Sequence, residues 1–115
     1  MSAKPISNRV TAITGTDYPI IQAPMGWIAR APLAAAVSNA GGMGIIETAS
    51  GEFDVIREEV LKMRDLSYHP FGINVALSYV KGSNIIDFVI EQGVKFVTTS
   101  SGSPSVCTAT FQDAG

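Results

Sequence analysis

Short apolar runs alternate along this chain with longer stretches in which apolar residues recur every three or four positions. The runs are Ile20 to Ala23, Met43 to Glu47, Phe71 to Leu77 and Lys95 to Thr99, and each ends in small or special residues. Runs of that length read as strands covered on both faces, and the periodic stretches read as helices.

Helix signals fill the gaps. Pro32 suits the first turn of a helix running to Ala40, and Gly41 suits the left-handed position after it. Gly51 opens a second helix, Glu52 to Asp65, with Glu52 and Asp54 at the positive end of its dipole. Its buried stripe is Phe53, Ile56, Val60 and Met63. Asn84 and Asp87 predict a capping box before a third helix, with Ile86, Val89 and Ile90 inward and Gly93 as its stop. Ser103-Pro104 starts a fourth, with Val106, Cys107, Thr110, Phe111 and Ala114 on one face and Gly115 at its C-cap. Val10 to Ile13 predicts a short helix or a plug beneath a barrel.

The organisation is therefore an N-terminal segment, residues 1–18, then four βα units over residues 19–115. Successive βα units imply right-handed crossovers and a parallel sheet. A (β/α)8 barrel of the TIM type takes roughly 250 residues. Four units predict an α/β half barrel. A small doubly wound binding module is the alternative from another class, and an inactive half barrel is a third. A half barrel exposes two sheet edges, which predicts self-association or a missing C-terminal half.

Composition narrows the function. Hydrophobic residues make up 46% and charged residues 16%, as suits strands buried on both faces. A net charge of −2 without a Lys/Arg cluster argues against nucleic-acid binding. A single cysteine excludes a disulfide framework and a cysteine metal site within the chain, and Cys107 reads as a small core residue. Met1 to Val10 is polar, and no apolar run approaches the ~18 residues of a membrane helix. The expectation is a cytoplasmic protein with no membrane contact.

Ligands of parallel α/β folds bind beyond the carboxyl ends of the strands. Those ends hold Ala23, Pro24, Met25, Gly26 and Trp27; Glu47, Thr48 and Ser50; Asn74, Ala76 and Ser78; and Thr98 to Gly102. There is no carboxylate pair, no metal-ligand cluster and no Gly-x-Ser-x-Gly elbow. Gly41-Gly42-Met43-Gly44 precedes a strand, so it reads as a helix stop and turn, not as a phosphate loop. The rim suits a flat, neutral ring with donors and acceptors on its edge, such as an isoalloxazine, with Met25 against its face. Asn74 inside an apolar strand requires hydrogen bonds, from a cofactor or from the protein. Thr99 and Ser100 suit a helix entry or a ligand contact, Glu47 an ion pair or a substrate contact, and Trp27 a loop anchor or a stacking partner. His69 precedes Pro70 at the start of a strand and reads as a surface residue.

Pro19 to Met25, Ala35 to Gly44, His69 to Val75 and Val97 to Gly102 together resemble the N-terminal half of the nitronate monooxygenase family, formerly the 2-nitropropane dioxygenases. The resemblance implies an FMN-dependent (β/α)8 barrel that oxidises alkyl nitronates with dioxygen. It implies that Ala23, Pro24 and Met25 line the flavin and that Asn74 hydrogen-bonds it. The family's catalytic histidine and phosphate-binding glycines are expected beyond residue 115, so no catalytic residue is assigned here. FMN-dependent enoyl-acyl-carrier-protein reductases share the barrel. The inosine monophosphate dehydrogenase and guanosine monophosphate reductase family also opens on Ala-Pro-Met. There the next residues are typically Asp-Thr-Val-Thr-Glu, whereas here they are Gly26-Trp27-Ile28-Ala29-Arg30.

Overall fold

A computed structural model describes residues 5–80 and 84–115. In chain order its elements are α1 (Arg9–Thr14), α2 (Ala31–Asn39), β1 (Gly44–Ile46), α3 (Phe53–Leu66), β2 (Phe71–Ala76), α4 (Ile85–Glu91), β3 (Phe96–Ser100), a 3-10 turn (Pro104–Val106) and α5 (Thr108–Asp113). The strands are parallel and lie side by side in the order β1-β2-β3. Sequential order belongs to a segment of barrel; a doubly wound sheet reverses direction at a switch point.

The first expected strand is nearly absent. Ile20 to Ala23 contributes one parallel bridge, Ile21 to Met43. Gln22 N donates to Met43 O at 3.0 Å, and Met43 N donates to Ile20 O at 2.9 Å. Beyond that bridge the Gln22 side chain does the pairing. Its Nε2 donates to Ile45 O at 3.0 Å, and its Oε1 accepts from Ile45 N at 3.2 Å. Pro24 has no N–H to extend a ladder, so main-chain pairing stops where the carboxamide takes over.

The core lies between the helices and one face of the sheet. Ala31, Ala34 and Ala35 of α2, Ile56, Val60 and Met63 of α3, and Ile85, Phe88 and Val89 of α4 pack on Ile46, Ile73 and Val75. Burying one such aliphatic side chain stabilises the fold by roughly 1.5–3 kcal/mol. The alanine face of α2 presses so close to β1 that a Cβ at Gly44 would lie 2.0 Å from Ala34 O. At the amino end of the strands the buried Ser38 hydroxyl donates to Pro70 O at 2.9 Å and accepts from Gly44 N at 3.0 Å. Phe53 and Phe88 meet edge to face at 6.2 Å, with the Arg57 guanidinium over both rings.

Glycine punctuation is as expected at Gly41, whose φ of 101° ends α2. Its carbonyl accepts from Asp17 N and Tyr18 N, which folds the N-terminal segment back onto the turn. The Gly41-Gly42 stretch is thus a helix stop. Three other expectations hold only in part or fail: Val89 is buried and Ile86 and Phe111 pack half-buried on the core as expected, but the rest differs. Asn84 precedes α4, but its side chain makes no capping bond, and the box predicted with Asp87 is absent. A capping box forms instead at Asn8 and Thr11, where Asn8 has the extended backbone that capping needs. In α4 the buried residues are Ile85, Phe88 and Val89, while Ile86 and Ile90 are half-buried. The last helix is broken: a 3-10 turn meets α5 at Cys107, and the change of period leaves Val106, Thr110 and Ala114 exposed.

Candidate functional site

Alternation along the strands decides what faces away from the helices. Ile73 and Val75 point into the core, so Gly72, Asn74 and Ala76 take the opposite face. In register with them on β3 are Phe96, Thr98 and Ser100. A Cβ at Gly72 would lie 2.8 Å from the Phe96 ring and 2.9 Å from Ile45 Cδ1, which puts those side chains on the same face.

Polar residues gather on that face toward the carboxyl ends. Asn74 is 3% exposed. Its Nδ2 donates to Thr98 Oγ1 at 2.9 Å, and its Oδ1 accepts from Ser100 Oγ at 3.0 Å. A carboxamide has two hydrogens and two lone pairs to offer, so one of each remains. Thr48 closes the gap between β1 and β2: its hydroxyl donates to Asn74 O and accepts from Ala76 N, both at 2.8 Å.

Ala23, Pro24 and Met25 stand exposed just past the Ile21 bridge. Among the described residues neither Ala23 N nor Met25 N donates to a protein acceptor. Met25 O accepts from both Ile28 N and Ala29 N, and that turn holds Trp27 at a φ of 63°. A left-handed tryptophan costs on the order of 1–3 kcal/mol, and Ser101, at a φ of 57°, repeats the feature after β3. Trp27 is 64% exposed, so its ring is not a buried anchor.

Glu47 proves to be an ion-pair residue. It is fully buried, its Oε1 accepts from Arg30 Nε at 3.2 Å, and its Oε2 accepts from Ser50 N at 2.9 Å. Arg30 also donates to Glu52 Oε1 at 2.9 Å. Burial works against the Arg30 charge, but the hydrogen bonds Arg30 donates to the Glu52 and Glu47 carboxylates outweigh it and hold the pKa above the ordinary arginine value. Nothing in the sequence joined Arg30 to Glu47, since only the loop geometry brings them together.

Other expected residues separate. Thr99 faces away from Asn74 into a cavity of about 360 Å³ behind β3, lined also by Ile90, Cys107 and Phe111. His69 is exposed at the amino end of β2, as expected for a surface residue. No hydrogen bond joins Asn74 to the Ala23–Met25 loop among the described residues. No cluster of metal-ligating side chains occurs among them, and no helix is long and apolar enough to cross a membrane.

The residues present fit the edge and face of a flat ring. Small, uncharged side chains accompany peptide N–H groups at Ala23 and Met25 that have no acceptor among the described residues, and Met25 is 38% exposed beside them. The family model described as nitronate monooxygenase matches residues 7–106. The chain belongs to that family. Among curated relatives, a nitronate monooxygenase of Pseudomonas aeruginosa is 40% identical over 70 residues, which is 61% of this chain and 20% of the relative. A second relative, from Mycobacterium tuberculosis, is 28% identical over 106 residues, 92% of this chain and 30% of its own. It is named as a (3aS,4S,5R,7aS)-5-hydroxy-7a-methyl-1-oxo-octahydro-1H-indene-4-carboxyl-CoA dehydrogenase. Among solved structures, FabK of Thermotoga maritima superposes with a TM-score of 0.89 at 32% identity, over 96% of this chain and 35% of that one. The chain therefore spans about a third or less of these relatives, and it is part of a barrel.

Proposed function

We propose that the protein carrying this chain is an FMN-dependent oxidoreductase of the nitronate monooxygenase type, oxidising an alkyl nitronate with dioxygen. The observations that support this most are the exposed, uncharged rim at Ala23–Met25, whose Ala23 and Met25 N–H groups have no acceptor among the described residues, and the buried Asn74 with its two hydroxyl partners at a strand's carboxyl end. Bound FMN would supply the redox chemistry. Ala23, Pro24 and Met25 would line its ring, and the remaining Nδ2 hydrogen of Asn74 would reach it. The role of these residues is to bind and orient: unpaired peptide dipoles offer a fixed edge that need not reorganise when a ring docks. The proton-handling histidine is expected beyond residue 115, so His69 receives no step. A cytoplasmic setting belongs to the same proposal.

The test uses the full-length product. Purified protein carries FMN absorbance and consumes oxygen when given propane-2-nitronate. Asn74→Ala weakens FMN binding by ~1–3 kcal/mol, the usual loss of one buried hydrogen bond. A colourless protein that takes up no FMN sinks the reading, and unchanged FMN retention by the variant removes Asn74 from it.

Coverage favours a second substrate class. The relatives named for a carboxyl-CoA substrate match 92% of this chain, against 61% for the Pseudomonas nitronate monooxygenase. Turnover of an acyl-CoA with an artificial electron acceptor, alongside inactivity toward the nitronate, selects the thioester reading.

A further inference from the structure

Glu47 joins two loops that the sequence places far apart. Its backbone N–H donates to Ala29 O at 2.8 Å, and its Oε1 receives Arg30 Nε. Both contacts hold the end of the Met25–Arg30 turn. On the other side its Oε2 receives Ser50 N, which fixes the loop after β1. The two loops pack together at Gly26, where a Cβ would lie 3.7 Å from Ala49 Cβ. The carboxylate itself is fully buried, and its neighbour Arg30 is anchored a second time by Glu52.

From this geometry we infer that Glu47 is a positioning residue, which with Arg30 fixes the Met25–Arg30 turn and through it the Ala23–Met25 edge against which a bound flavin would lie. The inference rests on the flavin reading above. Within the Met25–Arg30 turn Ala29 alone is fully buried, and Arg30 O accepts from Ala34 N at the start of α2. Trp27 and Ile28 are each 64% exposed and Met25 is 38% exposed, so side-chain packing there is thin. Trp27 keeps a left-handed backbone that no glycine relieves. Such a backbone persists only where the surroundings over-determine it. The surroundings here are the two N–H groups on Met25 O and the Glu47 contacts at Ala29 and Arg30. Glu47 acts through the loop, and no contact with a substrate is assigned to it.

The charge of Glu47 does part of this work. A neutral amide of the same shape has a single acceptor oxygen: if it accepts from Ser50 N, its NH2 faces Arg30 Nε donor against donor and the ion pair is lost. Glu47→Gln therefore separates loop positioning from loop packing.

The experiment starts from the full-length holoenzyme. Wild-type protein is first titrated with FMN; failure to bind there overturns the flavin reading itself and leaves the loop geometry standing. With binding established, Glu47→Gln is compared with wild type in three measurements: FMN dissociation constant, the visible spectrum of the bound flavin, and hydrogen exchange of a peptide covering residues 23–30. The expected result is an FMN dissociation constant raised about tenfold, a shifted flavin band, and amide exchange in residues 23–30 faster by about tenfold or more in the flavin-free protein. Arg30→Lys keeps the charge but loses the fork that reaches both carboxylates, so it is expected to fall between the two. Wild-type values for a folded Glu47→Gln protein in all three measurements overturn the inference. If Glu47→Gln does not fold, Arg30→Gln decides by the same measurements. Failure of both to fold makes the pair a folding element and equally overturns it.

Discussion

The stretch from β1 to α3 and the stretch from β3 to α5 are written in the same alternation, yet they are packed differently. Every residue of β1 is buried, whereas β3 is half-buried along its whole length. Helix α3 sinks Ile56, Val60 and Met63 into the core, while α5 buries no residue and leaves a cavity of about 360 Å³ against β3. The difference is in the neighbours. β1 has the Ile21 bridge on one side and β2 on the other; β3 pairs with β2 alone among the described residues. A βα unit supplies an apolar face, and the flanking units decide how much of it leaves water.

That comparison can be broken most easily at Gly44. Gly44→Ala puts a methyl group within 2.0 Å of Ala34 O, a backbone atom that can move only with α2. The expected loss exceeds ~3 kcal/mol and reads as little or no cooperative unfolding transition in urea. A variant of this chain that melts like wild type would show that α2 is not seated as described. Next comes Ile73→Ala in β2, fully buried in the main hydrophobic core, with an expected loss of about 2–5 kcal/mol. The smallest effect belongs to Phe111→Ala in α5. Burial of a phenylalanine normally makes this change cost about 3–5 kcal/mol. Here the half-buried ring borders a cavity, so a loss below ~1.5 kcal/mol is expected in the same urea titration. Equal midpoints for the Phe111 and Ile73 variants would erase the distinction between the two regions.

Much of the fold was legible in the sequence because periodicity and glycine placement are local. The stripe Ile56, Val60 and Met63, the stop at Gly41 and the strand Phe71–Ala76 all fall within a residue or two of expectation. What escaped depends on partners distant in sequence. Ile20 to Ala23 has a strand's composition, but Pro24 and the Gln22 carboxamide end its ladder after one bridge. The Asn84–Asp87 pattern is the same kind of signal as Asn8–Thr11, and only backbone angles separate the box that forms from the one that does not. At the site, Asn74 was singled out by its chemistry, yet its bonds to Thr98 and Ser100 follow from strand register. Glu47 stood out as a charge in an apolar run, while its partner Arg30, in the preceding loop, could not be read without the fold.

Two side chains in this sheet do the work of peptide groups. Gln22 presents a donor and an acceptor to Ile45, and Thr48 presents one hydroxyl to Asn74 and Ala76 in both senses. A main-chain ladder is common to every amino acid except proline, so point mutations in a gene pass over it almost unseen. Here part of the ladder is encoded. A single-base change from glutamine to glutamate keeps the length and the shape at position 22 but turns its donor into a second acceptor facing Ile45 O. Strand pairing, ordinarily the least heritable feature of a sheet, is at these two positions exposed to variation and selection.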